Sequence, residues 1–263
     1  MGTSGAYSGS GGKDGKVVRD AIGDYLADLP DTGEPTGSDG GADRPLLDPA
    51  ALQRVIHLLR PRSPGGGGDD GPSGGGGGPS PASAGSRSGG GPQRSAATSA
   101  RTAGRAAAAA YAYRTGDATT LQRLGLDYNE LRDLGDEFEV LRRIVNMACG
   151  TPDSTIEDHE QRRVAAEVGE WVLEQEYGGS PPTPEEIVRQ TIATIIAEAL
   201  LVESGDLINA HTQAEIAESD IRDAAEAIAA QASLSVDGAT EDEIGRAVES
   251  GLDTLRGIVG GGT

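Results

Sequence analysis

The sequence predicts a mainly α-helical protein, a compact helical bundle preceded by a flexible Gly/Pro-rich N-terminal arm. Three observations lead there. Phe138 and Trp171 are the only large aromatics besides tyrosine, so a core must be built from Leu, Ile, Val and Ala, which suit close-packed helices better than a large sheet. The 41 glycines and 14 prolines of the 263-residue chain concentrate toward the front, leaving the later part to bury a sizeable core. Behind residue 93, apolar residues recur at three- and four-residue spacing between helix start and stop signals.

The chain opens with MGTSGAYSGSGG, twelve residues without a charge and five of them glycine, and residues 1–16 read as an exposed Gly-rich tail. Residues 17–60 read as short helical segments. KVVRDAIGDYLADLP sets Val17, Val18, Ala21, Ile22, Tyr25, Leu26 and Leu29 at helical spacing, weakened by Gly23 and stopped by Pro30. LLDPAALQRVIHLLRP offers Leu52, Val55, Ile56 and Leu59 before Pro61. Such islands are docking elements, satellites of a distant core, or transient helices that do not fold alone, and the sequence leaves these open. Residues 61–92 contain 14 Gly, 6 Pro and 6 Ser and read as a disordered linker, since they bury almost nothing to offset the loss of backbone entropy.

Residues 93–260 read as an acidic helical domain. QRSAATSARTAGRAAAAAYAYRTGD predicts an alanine-rich helix closed by Gly116. In the next segment, ending at Gly150, Leu131, Leu134, Phe138, Leu141, Ile144, Val145 and Ala148 form one helical stripe. Ser154 and Glu157 have capping-box spacing for a third helix through Val164, Val168, Trp171 and Val172 to Tyr177. Thr183, Pro184 and Glu186 give the sharpest start signal, followed by Ile187, Ile192, Ile195, Ile196, Leu200 and Leu201. Ile216, Ile221, Ala224, Ala225, Ile228 and Ala232 predict a helix near 213–234, while ASLSV leaves room for a strand. Thr240 and Glu243 cap a last helix carrying Ile244, Val248, Leu252 and Leu255. Five or six helices with short connections make a compact bundle the natural architecture.

The formal charge of -20 is uneven: residues 1–60 carry 6 basic and 9 acidic groups, 61–109 carry 5 and 2, and 110–263 carry 11 and 31. A surface this acidic repels phosphate backbones and anionic lipid, so direct nucleic-acid or membrane binding is not expected, while a basic partner protein is attracted. Solubility alone accounts for the same charge. The single Cys149 allows no internal disulfide, and the sequence shows neither a secretory pattern nor an apolar run of bilayer length. A cytoplasmic setting is expected.

No constellation in the chain predicts catalysis, a metal or a cofactor. His57, His159 and His211 fall in separate segments, and none pairs with cysteine at metal-site spacing. Cys149 ends a predicted helix, where the dipole disfavours a thiolate, so a packing role is expected. In EDHEQRR, Asp158, His159, Arg162 and Arg163 read as surface ion pairs. GGKD and DGKV miss the phosphate-loop spacing, and MGTSGA has Ala6 where N-myristoylation needs a hydroxyl. Trp171 reads as a large core or interface residue. The remaining feature is the open start, where loss of Met1 would leave a Gly2 amine with a pKa near 8 and no bulky side chain for several residues. By composition alone it is a frayed end.

That opening also resembles the start of the QatB family, in which MGTS precedes a tyrosine and a glycine-rich stretch. QatB is a component of the bacterial Qat anti-phage defence system. AYAYRTGDATTLQRLGLDYNELRDLG and DSTIEDHEQRRVAAEVGEWVLEQE are similar to that family's Ala-rich helical region, its short Gly- and Leu-containing segment and its acidic helix. The resemblance covers the first dozen residues and roughly 95–260, and the order of the motifs carries most of its specificity. Members work beside an ATPase, a QueC-like enzyme of deazaguanine chemistry and a TatD-like nuclease. The resemblance implies a non-catalytic substrate and adaptor: after Met1 removal, the QueC-like partner attaches a deazapurine to the amine of Gly2. It also implies that catalytic residues belong to the partner. Thr3 and Ser4 would offer hydrogen bonds within the partner's cleft, and Tyr7 would anchor the arm. The competing expectation is a generic helical scaffold or protein-interaction module unrelated to defence.

Overall fold

The computed structural model describes residues 9–10, 12–29, 47–59, 95–152, 155–174 and 180–260. The stretch 61–92, read as a linker, lies outside these residues, as do Ser154 and Tyr177. Ten α-helices and one 3-10 turn, with no strand, make up the regular structure of the described residues, so the protein is a mainly α bundle.

The axis of the bundle is α8 (Pro184–Ala210), whose start follows from local chemistry. Thr183 Oγ1 accepts from the Glu186 amide at 3.3 Å, and Glu186 Oε2 accepts from the Thr183 amide at 2.7 Å, a closed capping box with Pro184 in the first turn. Ile187, Ile192, Ile196 and Leu200 are fully buried, because the central stretch of α8, residues 191–201, is covered by other helices all round rather than lying on one face of a core. Around it stand α1 (Lys13–Asp28), α3 (Ala96–Thr115), α7 (Ile156–Glu174), α9 (Ala214–Ala229), α10 (Glu241–Gly260) and the 3-10 turn Gln53–Leu58.

The alanine run of α3 has a packing purpose. Ala103 and Ala106 to Ala110 are fully buried against α7 and α10, where small side chains let the backbones approach. One such close approach is at Gly104, where an added Cβ would lie 2.9 Å from the Gly245 nitrogen of α10. Ser95 Oγ caps α3 by accepting from the Thr98 amide, and Gly116 ends it in the left-handed region. At the start of α10, the Thr240 hydroxyl accepts from the Glu243 amide while Glu243 Oε2 accepts from that of Thr240. Ile244, Val248, Leu252 and Leu255 are buried below them.

The single stripe expected over 131–148 is broken. Residues 118–149 form three helices instead: α4 (Ala118–Arg123), α5 (Tyr128–Asp133) and α6 (Glu137–Cys149). Gly125 and Gly135, at φ +83° and +63°, end the first two, and Asp127 and Asp136 restart the chain by accepting from the amides of Asn129, Glu130 and Phe138. The two turns reset the helical phase. Val140, Ile144 and Ala148 are therefore the buried residues of α6, while Phe138 is 70 % exposed and Leu134 is exposed. On α9 the expected Ile216 is likewise exposed, whereas Ile221, Ala225 and Ile228 are fully buried. The helix ends at Ala229, and the segment with ASLSV is irregular. The hydroxyl that accepts from the Asp158 amide at the start of α7 is that of Thr155.

The two N-terminal islands belong to this core. The helix α1 begins at Lys13, inside the stretch 1–16 assigned to an exposed tail, and α2 (Pro49–Leu52) runs directly into the 3-10 turn. Val18, Ile22, Leu52, Val55 and Ile56 are fully buried in the same cluster as α8. Burying each isoleucine or leucine contributes about 1.5–3 kcal/mol, which an isolated island would forgo. Polar links add to this seam: the Tyr25 hydroxyl donates to Asp220 Oδ2 of α9, and Arg256 of α10 donates to the Leu59 carbonyl at 2.6 Å.

Candidate functional site

Gly2, Thr3, Ser4 and Tyr7, the residues singled out in the sequence, lie outside the described residues. What the structure describes is the point at which the N-terminal segment joins the bundle. Ser10 stands before α1, and both its amide and its hydroxyl donate to Glu203 Oε1 of α8, at 2.5 and 2.8 Å. Glu203 is fully buried, so these donors supply part of the compensation a carboxylate needs when it leaves water. Below it, Arg19 of α1 donates from Nη1 to the Glu203 carbonyl and forms a bidentate pair with Asp206, at 2.7 and 2.8 Å. Those hydrogen bonds hold the Asp206 carboxyl below the usual range, with Arg19 the largest cause.

The clasp depends on two missing side chains. A Cβ on Gly15 would fall 2.0 Å from Ser10 Oγ and 2.7 Å from Glu203 Oε1. Gly9, at φ +86°, would place a Cβ 2.5 Å from the Arg19 Cδ. One signal of this site was present in the sequence: Glu198 and Glu203 interrupt the most apolar helix of the chain, and a carboxylate in such a run needs a partner. Which residue would supply it was not legible, because Ser10 and Glu203 are separated by 193 positions.

A second polar cluster joins α7, α8 and α9. Glu198, with its side chain 5 % exposed, places Oε2 3.1 Å from Arg163 Nε, although out of hydrogen-bonding alignment. Arg163 also meets Glu167 at 3.3 Å, and Arg222 reaches Glu167 and Glu218 at 3.6 and 3.7 Å. Burial pushes Glu198 up to about 7, with Arg163 and Arg222 pulling it down and the nearby Glu167 and Glu160 adding to the rise. EDHEQRR thus does more than form surface pairs. Arg162 joins a largely buried Asp158 at 2.9 Å and donates to the Gly150 carbonyl at 2.6 Å, tying the end of α6 to α7.

The remaining candidates are dispersed. His57 lies in the 3-10 turn, His159 on α7 and His211 after α8, where its Nδ1 accepts from the Gln213 amide. Among the described residues, no group of three His, Cys, Asp or Glu side chains is placed to hold a metal ion. Burial pushes the half-buried Cys149 thiol up to about 11, opposite to the shift a nucleophile needs. Trp171 is half-buried against the core. No helix among the described residues is long and apolar enough to cross a membrane. Comparison with known proteins identifies no relative: no family model, no curated protein and no solved structure matches the chain.

Proposed function

We propose that the protein is a non-catalytic adaptor and substrate subunit of a Qat-type anti-phage defence system, acting in the cytoplasm. Its N-terminal glycine, Gly2, accepts a deazapurine from a QueC-like partner after Met1 is removed. The amine of Gly2, with a pKa near 8, provides the nucleophile once it has lost a proton. It attacks a carboxyl carbon on the deazapurine that the partner has activated with a nucleoside triphosphate, an amide bond forms, and the activating nucleotide leaves. The catalytic groups are the partner's. Thr3, Ser4 and Tyr7 are the residues the partner reads. An ATPase and a TatD-like nuclease complete the system, and the acidic helices provide the surface on which these proteins assemble. Nucleic acid is handled by the partners rather than by this chain.

Two things support this reading: the order of the sequence stretches that resemble the family, and the clasp between Ser10 and Glu203. The clasp is the structural observation that carries it. It fixes the point from which the chain ahead of Gly9 departs, so a terminus presented to another enzyme starts from a rigid base. The experiment is a phage challenge of cells expressing this chain with its three partners. Removing residues 2–8 is expected to abolish protection while the far-ultraviolet circular dichroism of the bundle stays unchanged. Undiminished protection by the truncated chain overturns the reading.

A further inference from the structure

The far end of α1 carries a feature that the clasp does not use. Between the last turns of α1 and α8 lies an open groove of about 350 Å³, floored by Gly23, Leu26, Ala27 and Leu29 on one side and Leu207 and Ala210 on the other, with His211 at the end of α8 completing the lining. A Cβ built on Gly23 meets nothing within 4 Å, so no described residue covers the floor at that point. Glycine within a helix costs about 1 kcal/mol relative to alanine, a cost that its contacts with the described residues do not explain. On the exposed flank of α1, Asp20 and Asp24 stand three positions before Gly23 and Ala27 respectively, which places them along the rim on neighbouring turns. Both are exposed, and neither forms an ion pair with a described residue.

A largely apolar floor beside two carboxylates that no described residue pairs selects its occupant by charge as well as by shape. We infer that this groove docks a partner's amphipathic helix, with aliphatic side chains set against Gly23 and Ala27 and lysines or arginines against Asp20 and Asp24. The helix-in-groove mode supplies the geometry: anchors spaced at i, i+3 and i+4 enter the floor while basic neighbours on the helix flank meet the rim. The net charge of -20 steers a basic segment toward the chain, and the floor discriminates a helix that fits from one that is merely basic. This docking does not depend on modification of Gly2, and the two fail separately.

The test uses fluorescence anisotropy of two labelled helical peptides, one Leu/Lys and one Leu/Glu with the same apolar stripe, titrated with the full-length chain. The Leu/Lys peptide is expected to bind and the Leu/Glu peptide to bind at least tenfold more weakly. Gly23→Leu, which fills the floor, and the double variant Asp20→Lys/Asp24→Lys, which reverses the rim, are each expected to weaken Leu/Lys binding at least tenfold. Absence of Leu/Lys binding, or binding that Gly23→Leu leaves unchanged, overturns the inference. So does binding that emerges only after residues 30–46 are deleted, since the occupant is then the chain itself.

Discussion

Ser10 and Glu203, 193 positions apart, are joined twice through one carboxylate oxygen, Ser10 donating from both its amide and its hydroxyl. The contact ties the segment entering α1 to the C-terminal third of α8. Replacing Glu203 by alanine leaves both donors without that acceptor and is expected to destabilise the fold by about 1–3 kcal/mol, while glutamine, which keeps one carbonyl oxygen, recovers part of the loss. Urea denaturation measures the first effect. Hydrogen exchange at the Ser10 amide, expected to accelerate in Glu203→Ala, localises it.

The helix crossing of α3 and α10 allows a paired comparison. Gly104→Val puts a side chain where a Cβ already lies 2.9 Å from backbone, and a loss of about 1–3 kcal/mol is expected from overpacking. Gly245→Ala places its Cβ 3.6 Å from the nearest backbone atom, an ordinary contact, and is expected to leave thermal stability unchanged or slightly raised. Equal losses at both positions would show that the two helices do not approach as described.

Glu198 gives the fold a pH dependence. Burial raises its carboxyl to about 7 from 4.5, against the pull of Arg163 on α7 and Arg222 on α9 and with the push of Glu167 and Glu160. Between those values the folded chain holds a proton that the unfolded chain has released, so its contribution to stability falls as pH rises through the window. The penalty is absent below about 4.5 and complete above about 7. Glu198→Gln removes it, so thermal melts are expected to show the variant gaining on the wild type between pH 5 and 8, by on the order of 2 kcal/mol. A gain independent of pH would show that Glu198 is not titrating in that range.

The altered phase of α6 predicts unequal costs for two apolar residues that the sequence placed on one stripe. Phe138→Ser is expected to change stability by less than about 0.5 kcal/mol, because the ring is 70 % exposed. Ile144→Ala is expected to cost about 2–5 kcal/mol, because the side chain is fully buried. Denaturant midpoints of the two variants distinguish the three-helix arrangement from a continuous stripe.

These cases show which parts of the molecule sequence reasoning reaches. The caps at Thr183 and Thr240 were legible because a capping box closes within four residues, and the apolar spacing behind each followed. Phe138 was misplaced because Asp127 and Asp136 restart the chain after left-handed glycines, and periodicity carries no memory of phase across such turns. Ile22 and Ile56 were recognisable as apolar faces, but what they pack against is supplied by α8, far along the chain. The clasp was hidden for the same reason: Ser10 carries no local sign that its acceptor is Glu203. Gly2, Thr3, Ser4 and Tyr7 lie outside the described residues, and their roles rest on the family resemblance.

The most direct measurement is the intact mass of the full chain purified after co-expression with an active QueC-like partner, wild type beside Gly2→Pro. The expected wild-type mass is that of the Met1-free chain plus one deazapurine adduct, with the added mass mapping to the tryptic peptide ending at Lys13 and absent from Gly2→Pro. A wild-type mass equal to the unmodified Met1-free chain contradicts the proposed role of Gly2.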